Sequence, residues 1–195
     1  MNSSSHRAVK ISAIATGVLL WGLAPAFAAL TGTATISSVP NGGNFDYTII
    51  LTNTGTTNIG TFWFAWTPPG QPIEYDFLPS MPLSASQPAN WTGVILSGFP
   101  GYSIEYFANN AGSAIFPGLT GTFHFTSSDS PEDLQVLVLG AFPATRSFIY
   151  AGAPEVGDTF RVDPLFIPEP SSFILAAVAI LGLVAFRWRK RGTSK

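Results

Sequence analysis

No cysteine occurs among the 195 residues. That excludes a disulfide framework, thiolate metal sites, iron–sulfur clusters and a cysteine nucleophile. Charge is nearly as scarce, at 10% of residues against the roughly 25% usual in soluble globular domains. Cations are scarcest in the middle of the chain. Arg7 and Lys10 stand at the front, Arg187, Arg189, Lys190, Arg191 and Lys195 at the back, and only Arg146 and Arg161 between. Ten of the eleven acids lie in that interior, which carries a formal charge of −8. Nothing there can release counterions from a phosphate backbone, so nucleic acid is excluded as a partner. Histidine is also rare. His124 alone could serve a Ser-His-Asp triad in the interior, and no Gly-x-Ser-x-Gly elbow accompanies it. The sequence has no phosphate-cradling glycine loop, dinucleotide fingerprint or His-x-x-x-His pair, so neither cofactor nor metal is expected.

What the chain has in abundance is apolar surface, with 46% hydrophobic residues and a mean hydropathy of +0.31, and two runs concentrate it at the ends. Behind Arg7 and Lys10, the run Ile11 to Leu23 leads into Ala24-Pro25-Ala26-Phe27-Ala28. Cations that stay in the cytoplasm, an apolar helix, a proline that stops it and small residues at Ala26 and Ala28 together make a secretory signal peptide, cut by signal peptidase after Ala28. The second run, Phe173 to Phe186, is followed at once by Arg187-Trp188-Arg189-Lys190-Arg191. Its fourteen residues rise about 21 Å as a helix, short of the ~30 Å hydrocarbon core, so flanking residues must share the depth. The basic cluster then faces the cytoplasm and the body lies on the far side of the membrane.

Between body and span stands Ile167-Pro168-Glu169-Pro170-Ser171. Two prolines keep this segment out of helix and sheet and present Glu169 on extended backbone. Pro168-Glu169-Pro170, a short apolar helix and a terminal arginine-rich cluster, in that order, resemble the PEP-CTERM sorting signal of exopolysaccharide-producing bacteria. The resemblance covers Pro168 to Lys195. It implies recognition by an exosortase, a membrane-embedded processing enzyme, with the body passed from an inner-membrane intermediate to the cell surface or extracellular matrix. The expected plan is a signal peptide at 1–28, a body at 29–163, a Pro-rich tether at 164–172, a transmembrane helix at 173–186 and a cytoplasmic tail at 187–195.

The body shows no sustained 3.6-residue period. Short alternating runs recur instead between Gly, Pro, Asn and Ser clusters. Strands are expected at Thr31–Val39, Phe45–Asn53, Ile59–Thr67, Val94–Ser97, Tyr102–Phe107, Thr120–Ser127, Leu134–Leu139, Ser147–Ala151 and Asp158–Val162. The class is all-β, a single β-sandwich of Ig-like or jelly-roll type. The segment Leu51 to Gly60 is similar to one common in exported Ig-like modules, and its turn Asn53 to Asn58 is expected to close a hairpin. Alternation sends Phe62, Phe64 and Trp66 to the core and Trp63 outward, while Phe123 and Phe125 point in and His124 out. Prolines at 68, 69, 72, 79, 82 and 88 imply a long irregular excursion.

Candidate chemistry rests on acids and rings. Glu74, Asp76 and Glu105 lie among aromatics and could supply a carboxylate pair for glycoside hydrolysis. Asp129-Ser130-Pro131-Glu132-Asp133 crowds oxygens as a calcium loop would, but it lacks EF-hand order, and an acidic hairpin turn explains it without metal. Trp63 and Trp91 are the candidate carbohydrate contacts, because exposed planar rings stack on sugar faces. The leading expectation is a non-catalytic exported protein that contacts exopolysaccharide or neighbouring proteins in a biofilm. The alternatives are a secreted polysaccharide hydrolase and an unprocessed, single-pass, membrane-tethered domain.

Overall fold

The computed structural model describes residues 28–70, 76–138, 142–167 and 181. The sorting motif Pro168-Glu169-Pro170 and the basic cluster Arg187 to Arg191 lie outside the described residues, as do the signal peptide except Ala28 and the span except Leu181. Among the described residues, no helix is long and apolar enough to cross a membrane.

In chain order the strands are β1 (Gly32–Asn41), β2 (Asn44–Asn53), β3 (Thr61–Phe64), β4 (Ser84–Ser86), β5 (Trp91–Ser97), β6 (Tyr102–Ala108), β7 (Thr120–Ser127), β8 (Leu137–Val138), β9 (Phe142–Pro143), β10 (Ser147–Tyr150), β11 (Thr159–Val162) and β12 (Leu165–Phe166). A short helix, α1 (Pro131–Gln135), and a 3-10 turn at Ala111–Ser113 complete the list. One sheet has the order β12-β1-β2-β7-β4 and the other β11-β10-β3-β6-β5, with β8-β9 a separate ribbon. The two five-stranded sheets form the expected sandwich. All pairings are antiparallel except that of β12 with β1.

Alternating residues fill the space between the sheets. Ile36, Ile49 and Phe123 form one inward row of the first sheet, and Ile149, Phe62 and Tyr106 face them from the second; all six are fully buried. Phe123 is the meeting point, with its ring centroid 4.8 Å from Tyr106, 5.3 Å from Phe62 and 5.2 Å from Trp91. Tyr106 also bonds across the sandwich, its hydroxyl donating to His124 O at 2.9 Å. The inward rings at Phe62, Phe64, Phe123 and Phe125 and the outward His124 follow their expected alternation.

Several expectations change. Asn53 to Asn58 closes no hairpin, because β2 and β3 belong to different sheets and the turn carries the chain from one to the other. Asn53 pins the crossing. Its buried amide donates to Thr57 O and Ile115 O, both at 2.8 Å, and its Oδ1 accepts from Gly55 N at 3.0 Å. The expected strand Leu134–Leu139 begins instead as α1. Ser130 caps that helix, accepting from Asp133 N while Asp133 accepts from Ser130 N, and Pro131 opens the first turn. The Pro-rich excursion contains β4 and sends Phe77 and Leu78 into the core. Finally, β12 extends the body past position 163: Leu165 and Phe166 pair with Thr35 and Ile36, and Ile167 N donates to Ile36 O at 2.9 Å.

Asn53→Ala would remove three hydrogen bonds and leave Thr57 O without its partner, while Ile115 O keeps Ile59 N and Gly55 N keeps Thr31 O, an expected loss of about 2 kcal/mol. The check is the urea midpoint at unchanged m-value; a loss below ~1 kcal/mol would contradict this role for the side chain.

Candidate functional site

The outer face of the second sheet carries a second, smaller hydrophobic cluster of Trp63, Phe148 and Tyr150, with Trp66 packed on it. Register explains the first three. Phe148 lies opposite Trp63 on β10, and Glu105 lies opposite Trp63 on β6, so these side chains share the face away from the core.

Trp66 reaches the same face by a break in the strand. Alternation from Phe62 and Phe64 would point it inward, but Ala65 has φ 59°, the left-handed region that reverses the order of faces. The methyl of Ala65 is buried in the core, while its N–H donates to Ser147 Oγ and its O accepts from Phe77 N. Trp66 therefore lies outside, stacked on Trp63 with centroids 3.6 Å apart and planes 4° from parallel. Phe148 meets it edge-on at 86° and Tyr150 at 6.3 Å.

Neither of the expected sugar contacts is exposed. Trp63 does point outward, but Trp66 covers it and leaves it 9% accessible. Its Nε1 donates to Ser103 Oγ at 2.9 Å. Trp91 is 5% accessible. It stands at the start of β5 opposite small Ala108, and its indole rolls over the core edge until Nε1 reaches Ser113 O at 2.7 Å. The accessible ring of the outer face is Trp66, which is half-buried. No strand alternation could reveal this, because the signal is the backbone of an alanine.

Two of the three expected acids flank the stack; Glu74 lies outside the described residues. Asp76 bridges to Trp66 on one side and Pro100 on the other, and its carboxylate lies so close to Gly98 that a Cβ there has no room. Burial raises its pKa, and a hydrogen bond from Ser103 opposes the rise. Ser103 thus links the Trp63 indole to the Asp76 carboxylate. Glu105 is also pushed up, first by burial and then by the nearby Glu155, and its Oε1 is buried without a hydrogen-bond partner. Burial, with Glu155 and Glu105 adding to it, raises the Tyr150 hydroxyl to about 12. The face thus offers the ring of Trp66 with two half-buried carboxyl groups beside it, a set that can stack on a sugar ring and take hydroxyl hydrogens at its edge.

Elsewhere, polar groups serve each other. The body's two cations both turn to Asp163, Arg161 at 3.3 Å and Arg146 at 4.0 Å. In the acidic turn Asp129 to Asp133, Asp129 Oδ2 accepts from Ser80 N and Ser127 Oγ, and Asp133 is used in the helix cap. Among the described residues, no group of three or more His, Cys, Asp or Glu could hold a metal. His124 Nδ1 pairs with Thr48 Oγ1 at 3.1 Å on the outer face of the first sheet.

Residues 166–191 match the PEP-CTERM protein-sorting motif, and the tail therefore supports an exported protein sorted by an exosortase. The match begins inside β12. No curated protein matches the chain. Among solved structures, an exo β-N-acetylglucosaminidase of family GH20 from Vibrio harveyi is similar at 11% identity and a TM-score of 0.43, over 71% of this chain and 19% of its own. A CBM3 of Hungateiclostridium clariflavum is similar at 10% identity and 0.37, over 67% of this chain and 99% of its own. A biomass-sensing module from RsgI-like proteins of Clostridium thermocellum is similar at 15% identity and 0.34, over 66% and 99%. None of these likenesses says what this chain binds.

The raised acids give a pH signature. Folding holds protons on Asp76 and Glu105 that the unfolded chain releases, so their contribution to stability is full below the ordinary carboxylate range near pH ~4 and declines as pH rises through the folded-state values. Glu105→Gln is expected to melt above the parent at neutral pH, with the difference shrinking on acidification. Equal melting temperatures across that range would refute the burial of this carboxylate.

Proposed function

We propose that this chain is an exported, non-catalytic cell-surface or matrix protein, sorted by its C-terminal signal, whose body associates with exopolysaccharide through the outer face around Trp66. The observation that carries the reading is the combination on one face of an accessible indole, backed by a second indole, with two half-buried carboxylates beside it. Half-buried acceptors have fewer competing waters, so a hydroxyl that reaches their exposed edge is held more firmly than at an open surface. The near absence of free cations in the body suits a neutral or hydroxyl-rich polymer better than a polyanion. Signal peptidase and an exosortase are the processing partners of this reading, with the apolar run Phe173 to Phe186 holding the intermediate in the inner membrane.

A second reading, a hydrolase acting on the same polymer, draws on Asp76 and Glu105. Raised carboxylate pKa values flanking an aromatic platform are what a general acid requires. Asp76→Asn and Glu105→Gln separate the two. If reducing ends appear with the parent protein and vanish in either variant, the chain is an enzyme and the non-catalytic reading falls.

Trp66→Ala is expected to weaken retention by host exopolysaccharide in affinity electrophoresis about tenfold or more, the effect of removing a central stacked ring. Unchanged retention would overturn the assignment of this face. Intact mass and C-terminal sequence of the protein from its native host address the sorting. Surface or medium material is expected to lack everything after the Pro168-Glu169-Pro170 region, whereas a tail complete to Lys195 and confined to the inner membrane would mean a tethered periplasmic domain.

A further inference from the structure

A cleft of about 230 Å³ lies where the chain enters β3, at the opposite end of that strand from Trp66. Its floor is backbone. Gly60 N donates to Tyr150 O at 2.8 Å and Gly60 O accepts from Ala108 N at 2.9 Å, and a Cβ at Gly60 would lie 2.6 Å from the carbonyl carbon of Gly152. Five alanines supply methyl walls, and three side-chain amides, those of Asn58, Asn109 and Asn110, supply the polar groups.

Two of these amides are held in place. Asn109 Oδ1 accepts from Thr92 Oγ1 at 2.7 Å, and Asn110 Oδ1 from Ser113 Oγ at 3.0 Å, which leaves each NH2 group turned away from its anchor. The Asn58 side chain makes no hydrogen bond among the described residues. No ionisable side chain lines the cleft, although the surrounding body carries −8.

This lining selects its ligand by elimination. An apolar molecule would cover amides without pairing them. A phosphate or carboxylate would find no cation to offset its desolvation. What fits is a small neutral molecule with hydroxyls around its edge and C–H groups on its faces, amides meeting the former and alanine methyls the latter. The volume, below the ~300–1,000 Å³ of drug-sized sites, suits one ring.

We propose that this cleft binds a single neutral sugar residue, the end or branch of a glycan, independently of the Trp66 face. Without an aromatic stack the affinity is expected to be weak, with a Kd near ~1 mM or above.

The test is a titration of the ¹⁵N-labelled full chain in detergent micelles with neutral methyl glycosides to ~10 mM and above, with a methyl glucuronide as charged control and glycerol as hydroxyl control. At least one neutral glycoside is expected to shift the Asn109 and Asn110 NH2 signals saturably. The Asn109→Ala, Asn110→Ala double variant should bind about tenfold more weakly or not at all. Ala111→Leu narrows the exposed mouth without removing a hydrogen bond and should abolish the shifts with the backbone spectrum unchanged. The proposal falls if no neutral glycoside moves these signals, if glycerol or the glucuronide moves them equally, or if the shifts survive in Ala111→Leu. Trp66→Ala should leave them intact, so loss of polymer retention without loss of these shifts is a failure of one site and not of the other.

Discussion

Phe123 stands between the two sheets with Phe62, Tyr106 and Trp91 around it, and the rest of the body is arranged by that contact. Without a disulfide, and with so few charges, ring packing across the sandwich is the main force available to hold the sheets face to face. The hydroxyl of Tyr106 adds a directional tie to the backbone of β7. Tyr47 stacks on Phe125 at 4.6 Å and bonds Asp129 O at 2.7 Å, which secures the other end of the same strand. Both tyrosines are pushed above their ordinary pKa by burial, so each stays a neutral donor.

The outer face of the second sheet follows from a local departure inside that frame. The left-handed backbone at Ala65 costs roughly 1–2 kcal/mol for a residue with a Cβ. Three hydrogen bonds fasten the turn: Ala65 N donates to Ser147 Oγ, Trp66 N to Arg146 O, and Phe77 N to Ala65 O. The result is an indole pair in place of a strand continuing inward, with Asp76 and Glu105 beside it. Burial raises the pKa of both acids, and Glu155 adds to the rise at Glu105.

Sorting and fold meet at β12. Ile167 makes the last described bond to the first sheet, and the matched motif begins one residue before it, at Phe166. The body therefore ends on a strand pinned to β1, and Pro168-Glu169-Pro170 follows with no intervening linker. The pairing sets the last strand of the body beside the first, and because it is parallel the chain leaves the sheet toward the Asn41 end of β1, away from Gly32.

Much of this was readable in order. Period-two alternation revealed Phe62, Phe64, Phe123 and Phe125 as core, the turn clusters marked most strand ends, and the tripartite tail declared a sorting signal. These are properties of neighbours along the chain, where side-chain spacing and proline chemistry act locally. Which strands share a sheet was not, so Asn53 looked like a hairpin turn when it bridges two sheets. The Ser130-Pro131-Glu132-Asp133 cap, a local signal, was there to be read and was passed over. Spacing could not reveal that Trp66 would fold back over Trp63, or that Asn58, Asn109 and Asn110 would line one cleft. Those outcomes depend on contacts between residues 40 to 91 positions apart, as between Trp63 and Ser103, Ala65 and Ser147, or Thr61 and Gly152. Composition and local order settled that the chain is an exported all-β protein with a sorting tail; only packing decided which of its rings and amides face outward, because exposure belongs to the assembled sandwich and to no residue alone.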